Sequence, residues 1–127
     1  MNGEAVSCPE TDAAITACLF CKMARREIAV EKVYEDDLVF SIRDINPRAP
    51  IHMMVIPNQH IASVRDVDSE HATLLAHMIQ IADRMAVLEG IADKGHRLAF
   101  NEGKDSGQSV FHIHMHVLGG RRLGAEA

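Results

Sequence analysis

The segment from Phe111 to Val117 alternates apolar residues with histidines at every position. Successive side chains of a β-strand point to opposite faces, so the pattern predicts one apolar face and one histidine face, with neighbouring histidines about 6.6 Å apart. The histidines are His112, His114 and His116. A solvated sheet face needs no histidines, because Thr, Lys or Glu would serve it equally well. Rings at this spacing also do not converge readily on one metal ion.

Phosphoryl chemistry explains this row of histidines better than either alternative. An imidazole is largely neutral near pH 7, so a ring nitrogen can attack phosphorus, and protonated neighbours can offset the charge on the phosphate. The preceding loop contains Gly103 and Gly107, which allow the backbone to approach a phosphate closely. Gln108 and Ser109 add polar side chains just before the strand. The loop and the histidines together predict a phosphate site.

The rest of the pattern predicts an α+β domain built on a largely antiparallel sheet. One long helix is expected from Asp68, a plausible N-cap, to Ile91, with Gly90 near its end. On this helix His71 and His77 are expected to be solvated. Strands are predicted at residues 30–34, 38–42, 52–56, 97–100 and 110–118, the third of them central and buried, and a short helix or turn at residues 18–24. The apolar face of the long helix is expected to comprise Leu74, Leu75, Met78, Ile81, Ala82, Met85 and Leu88.

Length and charge limit the remaining possibilities. A chain of 127 residues fits one domain, and we expect a mobile tail at residues 1–14 and the domain at 15–127. The net charge of −5 argues against a nucleic-acid partner. No apolar run is long enough to span a membrane, and the first residues lack a secretory signal. The three cysteines are therefore expected to be reduced in a cytoplasmic protein.

Ordered motifs across most of the chain, from about Cys18 to Arg121, resemble the histidine triad (HIT) family. They include Leu-Phe-Cys-Lys (19–22), Asp-Ile-Asn-Pro (44–47), Val-Ile-Pro-Asn-Gln-His (55–60), Gly-Gln-Ser-Val (107–110) and His-Val-Leu-Gly-Gly-Arg (116–121). The similarity is strongest to the Hint branch, the purine nucleoside phosphoramidases. It implies an antiparallel five-stranded sheet with one long and one short helix. It also implies a homodimer that forms a larger continuous sheet, and derivatives of AMP or GMP as ligands.

The resemblance assigns catalytic roles to five side chains. His114 matches the nucleophile that forms a nucleotidyl-imidazole intermediate, and His116 matches the residue that contacts the phosphate and leaving group. His112 matches the triad member whose carbonyl holds the tautomer of the nucleophile, and His52 matches a further histidine of the network. Ser109 matches a candidate proton donor to the departing amine.

Other positions match the nucleotide pocket of the family. Asp44 matches the carboxylate that binds both ribose hydroxyls, although it could also be a turn residue before Asn46-Pro47. Ile45 and Phe20 match apolar walls around the base, although both could belong to the core. The phosphate loop is matched by Asn101, Gly107, Gln108, Ser109 and Val110. For Asn101 the alternative is an amide that caps the loop.

A structural zinc site is also implied by the resemblance. By itself, Cys18-x-x-Cys21 could be a redox pair or two buried small residues, and His60 could lie on the surface. In several bacterial members, equivalent residues hold zinc together with the first triad histidine, here His112. Two thiolates and two imidazoles form a closed tetrahedral set, which is typical of structural zinc. Cys8 lies in the predicted tail and has no such partner.

The match has two gaps, and two other functions stay open. Some Hint-branch proteins carry a tryptophan-containing tail, whereas this chain has no Trp, so its selectivity for the amine is not predicted. Ser41 and Ile42 replace an aromatic-containing segment of some relatives.

The alternatives to a phosphoramidase are a dinucleoside-polyphosphate hydrolase of the Fhit type and a non-catalytic nucleotide-binding or scaffolding protein.

Overall fold

The sheet consists of five strands, and every neighbouring pair is antiparallel. A computed structural model describes residues 12–125 of the chain. The strands are β1 (Tyr34–Glu35), β2 (Val39–Arg43), β3 (Ile51–Pro57), β4 (His96–Ala99) and β5 (Met115–Gly119). Their order across the sheet is β1-β2-β3-β5-β4. The predicted α+β class and the five-stranded antiparallel sheet are confirmed.

Strand β3 is the centre of the sheet, as its apolar run predicts. Six of its seven residues are buried, and the strand pairs with β2 on one side and β5 on the other. The register places His52 opposite Leu118 and Met54 opposite His116. His52 and His116 are therefore diagonal neighbours on one face of the sheet, where side chains two residues out of register can touch.

The long helix, α3, runs from Ala72 to Leu88 and is shorter than predicted. A 3-10 turn, Ser69–His71, precedes it, and Asp68 caps that turn by accepting a hydrogen bond from the Glu70 N–H. Leu88 is 68% exposed, so the predicted apolar face is wrong at its last residue. Leu75 is half-buried, and the other five predicted residues pack in a core shared with β3 and β5. Gly90, with φ of +76°, follows the end of the helix.

The last strand begins at Met115 instead of residue 110, so the prediction of three histidines on one regular strand is wrong. Residues 110–114 leave the strand ladder, and the Ile113 N–H donates to the Ile61 carbonyl at 2.7 Å. This irregular segment lets the His112 ring turn into the interior, where it is fully buried. Only His116 lies on β5, while His112 and His114 precede it.

The N-terminal part of the chain also differs from the prediction. The expected strand at residues 30–34 is reduced to the two residues of β1. Two short helices are present instead of one, α1 (Asp12–Ala17) and α2 (Leu19–Ala24). The predicted boundary after residue 14 therefore falls inside α1, and residues 1–11 of the predicted tail lie outside the described residues. Within residues 12–125 no helix has the length and apolar character that a membrane crossing needs.

Asp36 connects the turn after β1 to the long helix. Its carboxylate accepts hydrogen bonds from the Tyr34 hydroxyl at 2.7 Å, from His77 Nε2 at 2.6 Å and from the N–H groups of Leu38 and Val39 at 2.8 Å. Burial opposes ionisation of Asp36, but these hydrogen bonds outweigh burial and hold the pKa of the carboxyl well below its usual range. His77 is therefore a structural partner and not the solvated residue that was expected.

His71 also has a structural role, so the expectation that its side chain is only solvated is wrong. Its Nδ1 accepts from the Asp68 N–H at 3.1 Å, and this bond completes a capping box at the start of the 3-10 turn.

We expect Asp36→Asn to lower the free energy of unfolding by about 1–2 kcal/mol at pH 7, because it weakens charge-assisted hydrogen bonds. The folded-state pKa of Asp36 is depressed, so this stability is present above the ordinary carboxyl pKa of about 3.9 and is lost as the pH falls below it. Urea unfolding from pH 7 to pH 3 should show the difference between parent and variant shrinking. Asp37→Asn, at the exposed neighbouring carboxylate, is the control. An equal loss in both variants, or one independent of pH, would contradict the assignment.

Candidate active site

His114 is held by the backbone of its own segment. Its Nδ1 lies 2.8 Å from the carbonyl oxygen of His112, and a carbonyl only accepts hydrogen bonds, so Nδ1 carries the ring proton. In the neutral ring the lone pair is then on Nε2. The rings of Phe20 and His114 form a T-shaped contact, with ring centroids 5.1 Å apart and planes at 78°. One nitrogen is thus fixed as a donor and the other is left as a nucleophile or base.

The second part of the site is a chain of hydrogen bonds from the backbone to His116. The Arg48 N–H donates to His52 Nδ1 at 3.1 Å, so the proton of a neutral His52 ring lies on Nε2. This Nε2–H donates to His116 Nδ1 at 2.8 Å. The proton of His116 must then lie on its own Nε2. His116 therefore offers an N–H donor, while His114 offers a lone pair.

The histidine rings are biased towards the neutral form. Burial lowers the pKa of His114, although the bond to the His112 carbonyl and the charge of Asp44 act in the opposite direction. Burial, reinforced by His114 and His52, lowers the pKa of His116 to about 4. The pKa of His52 is also lowered, again mainly by burial. At neutral pH the site therefore has both an unprotonated nitrogen and neutral N–H donors.

Asp44 is placed by the turn that follows β2, and its turn reading is confirmed. Its Oδ1 accepts from the Asn46 N–H at 2.8 Å, as a turn residue does, while its Oδ2 lies 3.4 Å from His52 Nε2. The carboxylate therefore faces the histidine chain. Ile45 next to it is 91% exposed, so it is not a core residue.

Phe20 is a core residue, which is one of the two readings predicted for it. It is 4% exposed and belongs to a small core with Phe40, Ile42, Met54 and Ile56. Its ring also contacts the imidazoles of His112 and His114. Ser41 is one of the two residues that replace an aromatic-containing segment of some relatives. It is fully buried, and its hydroxyl donates to the Met54 carbonyl at 2.8 Å.

The predicted phosphate loop connects β4 to β5, and Gln108 shapes it from within. The Gln108 carbonyl oxygen accepts from the Gly103 N–H at 2.8 Å, and its amide nitrogen donates to the carbonyls of Ala62 and Val110 at 3.3 and 3.4 Å. This side chain therefore holds the loop together and is not free to bind a ligand. Positive φ values of +84° at Gly103 and +90° at Gly107 explain both glycines.

Three further predicted residues lie in the same segment. Ser109 is exposed and Asn101 is half-buried, and within residues 12–125 neither side chain is hydrogen-bonded to the histidines. Val110 packs against the small core that contains Phe20. The structure thus brings Asp44, His52, His114 and His116 together. The loop residues precede His114 in the sequence.

A separate cluster of two cysteines and two histidines lies behind the site. The donor atoms of Cys18, Cys21, His60 and His112 all lie within 4.8 Å of one another. Cys21 Sγ is 3.2 Å from His60 Nδ1, and Cys18 Sγ is 3.3 Å from His112 Nδ1. Burial, followed by the effect of Cys18, raises the pKa of Cys21 to about 12. A nearby cation would oppose that rise, and thiolate is the form that binds metals.

The donor set fits a four-coordinate zinc ion. His112 Nε2 donates to the Pro57 carbonyl at 2.8 Å, so the lone pair of a neutral His112 ring lies on Nδ1, which points into the cluster. Burial lowers the pKa of His112 to about 4, which keeps the ring neutral as a ligand. This group could therefore hold a metal ion, as the resemblance implies. His60 is buried and not a surface residue.

Sequence reasoning missed three features of the site. The Arg48 N–H that fixes the tautomer of His52 has no signal in the sequence, because any residue offers a backbone N–H there. The pairing of His52 with His116 has a weak signal, since both histidines lie in segments predicted as strands. The role of Gln108 in holding the loop together could have been suspected only from its position directly after Gly107.

Comparison with known proteins agrees with this geometry. A family model described as the HIT domain matches residues 25–123. The purine nucleoside phosphoramidase of Escherichia coli K12 is 52% identical over 106 residues, which cover 84% of this chain and 89% of that protein. A HIT family hydrolase from Legionella pneumophila has a TM-score of 0.84 and 44% identity, covering 86% of this chain and 97% of that one.

A zinc-bound histidine triad family protein from Mycobacterium smegmatis is more distant but also similar. Its TM-score is 0.69 at 32% identity, with 88% of this chain and 80% of that chain covered. The family match extends over most of the sequence, the fold agrees with solved HIT proteins, and the histidines lie together in space. This chain belongs to the histidine triad (HIT) family.

Proposed function

We propose that this protein hydrolyses the P–N bond of purine nucleoside 5′-phosphoramidates through a covalent nucleotidyl intermediate on His114. The observation that carries the proposal is the 2.8 Å contact between His114 Nδ1 and the His112 carbonyl, which leaves Nε2 with its lone pair. The 52% identity to the Escherichia coli purine nucleoside phosphoramidase supports this reaction class.

The proposed reaction has two steps. His114 Nε2 attacks phosphorus, the P–N bond breaks, and the amine nitrogen takes up a proton as it leaves. Ser109 is the proposed donor of that proton, and the His116 Nε2–H stabilises charge on the phosphate oxygens. Water then attacks phosphorus and breaks the bond to His114. The products are the nucleoside monophosphate and the restored imidazole, and the proton lost by water restores the donor.

The remaining pocket residues are proposed to position the nucleotide. The Asp44 carboxylate accepts hydrogen bonds from the two ribose hydroxyls, and its position beside His52 keeps it close to the catalytic chain. Ile45, which is exposed, and Phe20 contact the purine of AMP or GMP. Asn101 and the backbone of Gly107, Ser109 and Val110 bind the phosphate. Gln108 supports this loop instead of binding the nucleotide directly.

Turnover assays distinguish this function from the alternatives. We expect the protein to hydrolyse a fluorogenic adenosine 5′-phosphoramidate at least about a hundredfold faster, in kcat/KM, than diadenosine tetraphosphate. Measurement of AMP release from both substrates under one set of conditions checks this. A preference for the dinucleotide would identify a dinucleoside-polyphosphate hydrolase. Binding of AMP without turnover of either substrate would leave a binding or scaffolding role.

We also propose that Cys18, Cys21, His60 and His112 hold a structural zinc ion. With four protein ligands the ion would have no open position for catalysis. It would instead connect the start of α2, the segment after β3 and the segment that carries His114. The mutual distances of the four donor groups support this proposal.

A homodimer is the proposed assembly. Strand β4 is an edge strand, and its Leu98 is 38% exposed. Helix α3 exposes Ile79, Val87 and Leu88. Pairing of two β4 edges would extend the sheet across a two-fold axis and cover apolar surface. We expect sedimentation equilibrium to give twice the chain mass, and Leu98→Lys to shift the protein towards monomer. A monomeric parent would contradict this proposal.

A further inference from the structure

The side chain of Arg121 joins the segment after β5 to the bend that precedes β3. Its Nη2 donates to the Arg48 carbonyl at 3.1 Å, across 73 residues of sequence, and its Nη1 donates to the Arg122 carbonyl at 3.0 Å. A guanidinium group is planar and offers its N–H groups in a fixed fork. The two bonds therefore hold the backbone of one segment against the backbone of the other.

The backbone at Gly120 brings these two segments together. Its φ is +98°, a conformation that favours glycine. A Cβ atom at this position would lie 2.9 Å from the Cβ of Pro50 and 3.4 Å from the backbone nitrogen of Ile51. Glycine therefore allows the chain to pass closely beside the bend, which places the Arg121 side chain within reach of Arg48.

The bend at residues 47–50 offers few groups that could hold it in place. It lies between β2 and β3, and its sequence is Pro-Arg-Ala-Pro, in which both prolines lack an N–H. The Arg48 N–H donates to His52 Nδ1 at 3.1 Å. Arg48 thus has its N–H bonded to a histidine of the site and its carbonyl bonded to the Arg121 side chain.

The tautomer of His52 depends on this single N–H. The His52 side chain is 3% exposed, so water does not readily replace a lost donor. With the Arg48 bond in place, His52 Nε2–H donates to His116 Nδ1 at 2.8 Å. Without it, the opposite tautomer becomes available, in which His116 Nδ1–H donates to His52 Nε2 and the lone pair of His116 lies on its own Nε2. The position of Arg48 therefore decides whether His116 presents an N–H or a lone pair.

We infer that Arg121 is a positioning residue that sets the tautomers of His52 and His116 through the backbone of Arg48. Among residues 12–125 its guanidinium group is not hydrogen-bonded to either histidine, so it acts through the bend alone. The effect on turnover rests on the proposed function, in which the His116 Nε2–H stabilises the phosphate oxygens. The tautomers themselves are a property of the protein without substrate.

NMR spectroscopy measures the tautomers directly. Two-bond 1H–15N correlation spectra of histidine-labelled protein at pH 7 distinguish a protonated ring nitrogen from one with a lone pair, and in the parent we expect the proton of both rings on Nε2. In Arg121→Met the Nδ1–H tautomer should rise to about a tenth or more in both rings. The Asp44 carboxylate, 3.4 Å from His52 Nε2, favours a proton there and keeps the shift partial.

Steady-state kinetics with an adenosine 5′-phosphoramidate give the second readout. We expect kcat of Arg121→Met to fall by about threefold to tenfold with KM within about twofold of the parent, because the side chain does not contact the nucleotide in the proposed mechanism. Arg121→Lys keeps a charged donor at this position and should recover at least about half of the lost kcat.

Arg122→Met is the matched control. It removes the same charge from the next residue, whose exposed side chain forms no hydrogen bond or ion pair within the described part of the chain. Its tautomers and its kcat should equal those of the parent. Thermal unfolding of each variant verifies that it is folded.

The outcomes separate this inference from the proposed function. A tautomer shift in Arg121→Met that is absent from Arg122→Met supports the inference. Parent tautomers in folded Arg121→Met overturn it, even if kcat falls, and so does an equal shift in both variants. If the tautomers shift as expected but the parent hydrolyses no phosphoramidate, the proposed function fails while the role of Arg121 in setting the tautomers is supported.

Discussion

His114→Ala is expected to reduce kcat for an adenosine 5′-phosphoramidate by at least about a thousandfold. The substitution removes the nitrogen that is proposed to form the covalent intermediate, and among the described residues no neighbouring histidine has an equivalent free lone pair. His116 directs an N–H outwards, because its Nδ1 accepts from His52. His112 is fully buried among the cysteines. The loss should therefore be in kcat and not mainly in KM. Single-turnover and steady-state kinetics together measure it.

The matched control is His71→Ala, which removes an imidazole at the start of the 3-10 turn before α3. We expect its turnover to stay within about twofold of the parent, with a loss of stability of about 1 kcal/mol from the missing cap. Circular dichroism and thermal unfolding would establish that the His114 variant is folded. A folded His114→Ala protein that keeps a tenth or more of the parent activity would exclude His114 as the nucleophile.

Cys21→Ser is expected to have the largest effect on stability. The purified parent should contain one zinc ion per chain, and the variant should contain less than about a tenth of that amount. Cys21 is buried beside His60 and His112, so removal of its thiolate leaves an incomplete ligand set in the interior. We expect a loss of about 3 kcal/mol or more, which corresponds to a fall of roughly 10 °C in Tm. Plasma mass spectrometry and calorimetry measure the two quantities.

Cys8→Ser is the control for this prediction, because Cys8 has no ligand partner in the sequence pattern and lies outside the described residues. Its zinc content and Tm should equal those of the parent. A chelator should lower the Tm of the parent and of Cys8→Ser, but not that of Cys21→Ser. Parent protein that is free of zinc and equally stable with and without added zinc would contradict the proposed metal site.

Periodic features of the chain could be predicted because each is set by local geometry. The apolar run that ends at Pro57 predicts the buried central strand, and the spacing of apolar residues from Leu74 to Met85 predicts α3. The alternation from Phe111 to Val117 identified the histidines, but the same alternation predicted a strand that is too long. A hydrogen bond from the Ile113 N–H to the carbonyl of Ile61, 52 residues away in sequence, holds the segment before Met115 out of the strand ladder.

Contacts between distant segments could not be predicted from pattern alone. Asp36 and His77 are 41 residues apart, and no sequence pattern connects the two positions. The four cysteine and histidine residues of the proposed zinc site are grouped only by the resemblance to the family, because their spacing alone leaves a redox pair and surface residues open. The orientation of His116 depends on a backbone N–H at Arg48, which leaves no trace in the residue types.

Trapping the covalent intermediate tests the central claim most directly. The parent protein is mixed with an adenosine 5′-phosphoramidate, quenched within one turnover in alkaline denaturant, digested and analysed by tandem mass spectrometry. We predict an adenylyl group on the imidazole of His114, which disappears as AMP accumulates. The adduct should be absent when the substrate is omitted. An adenylyl group on another residue, or hydrolysis at the full rate with no covalent adduct at any time, would contradict the account.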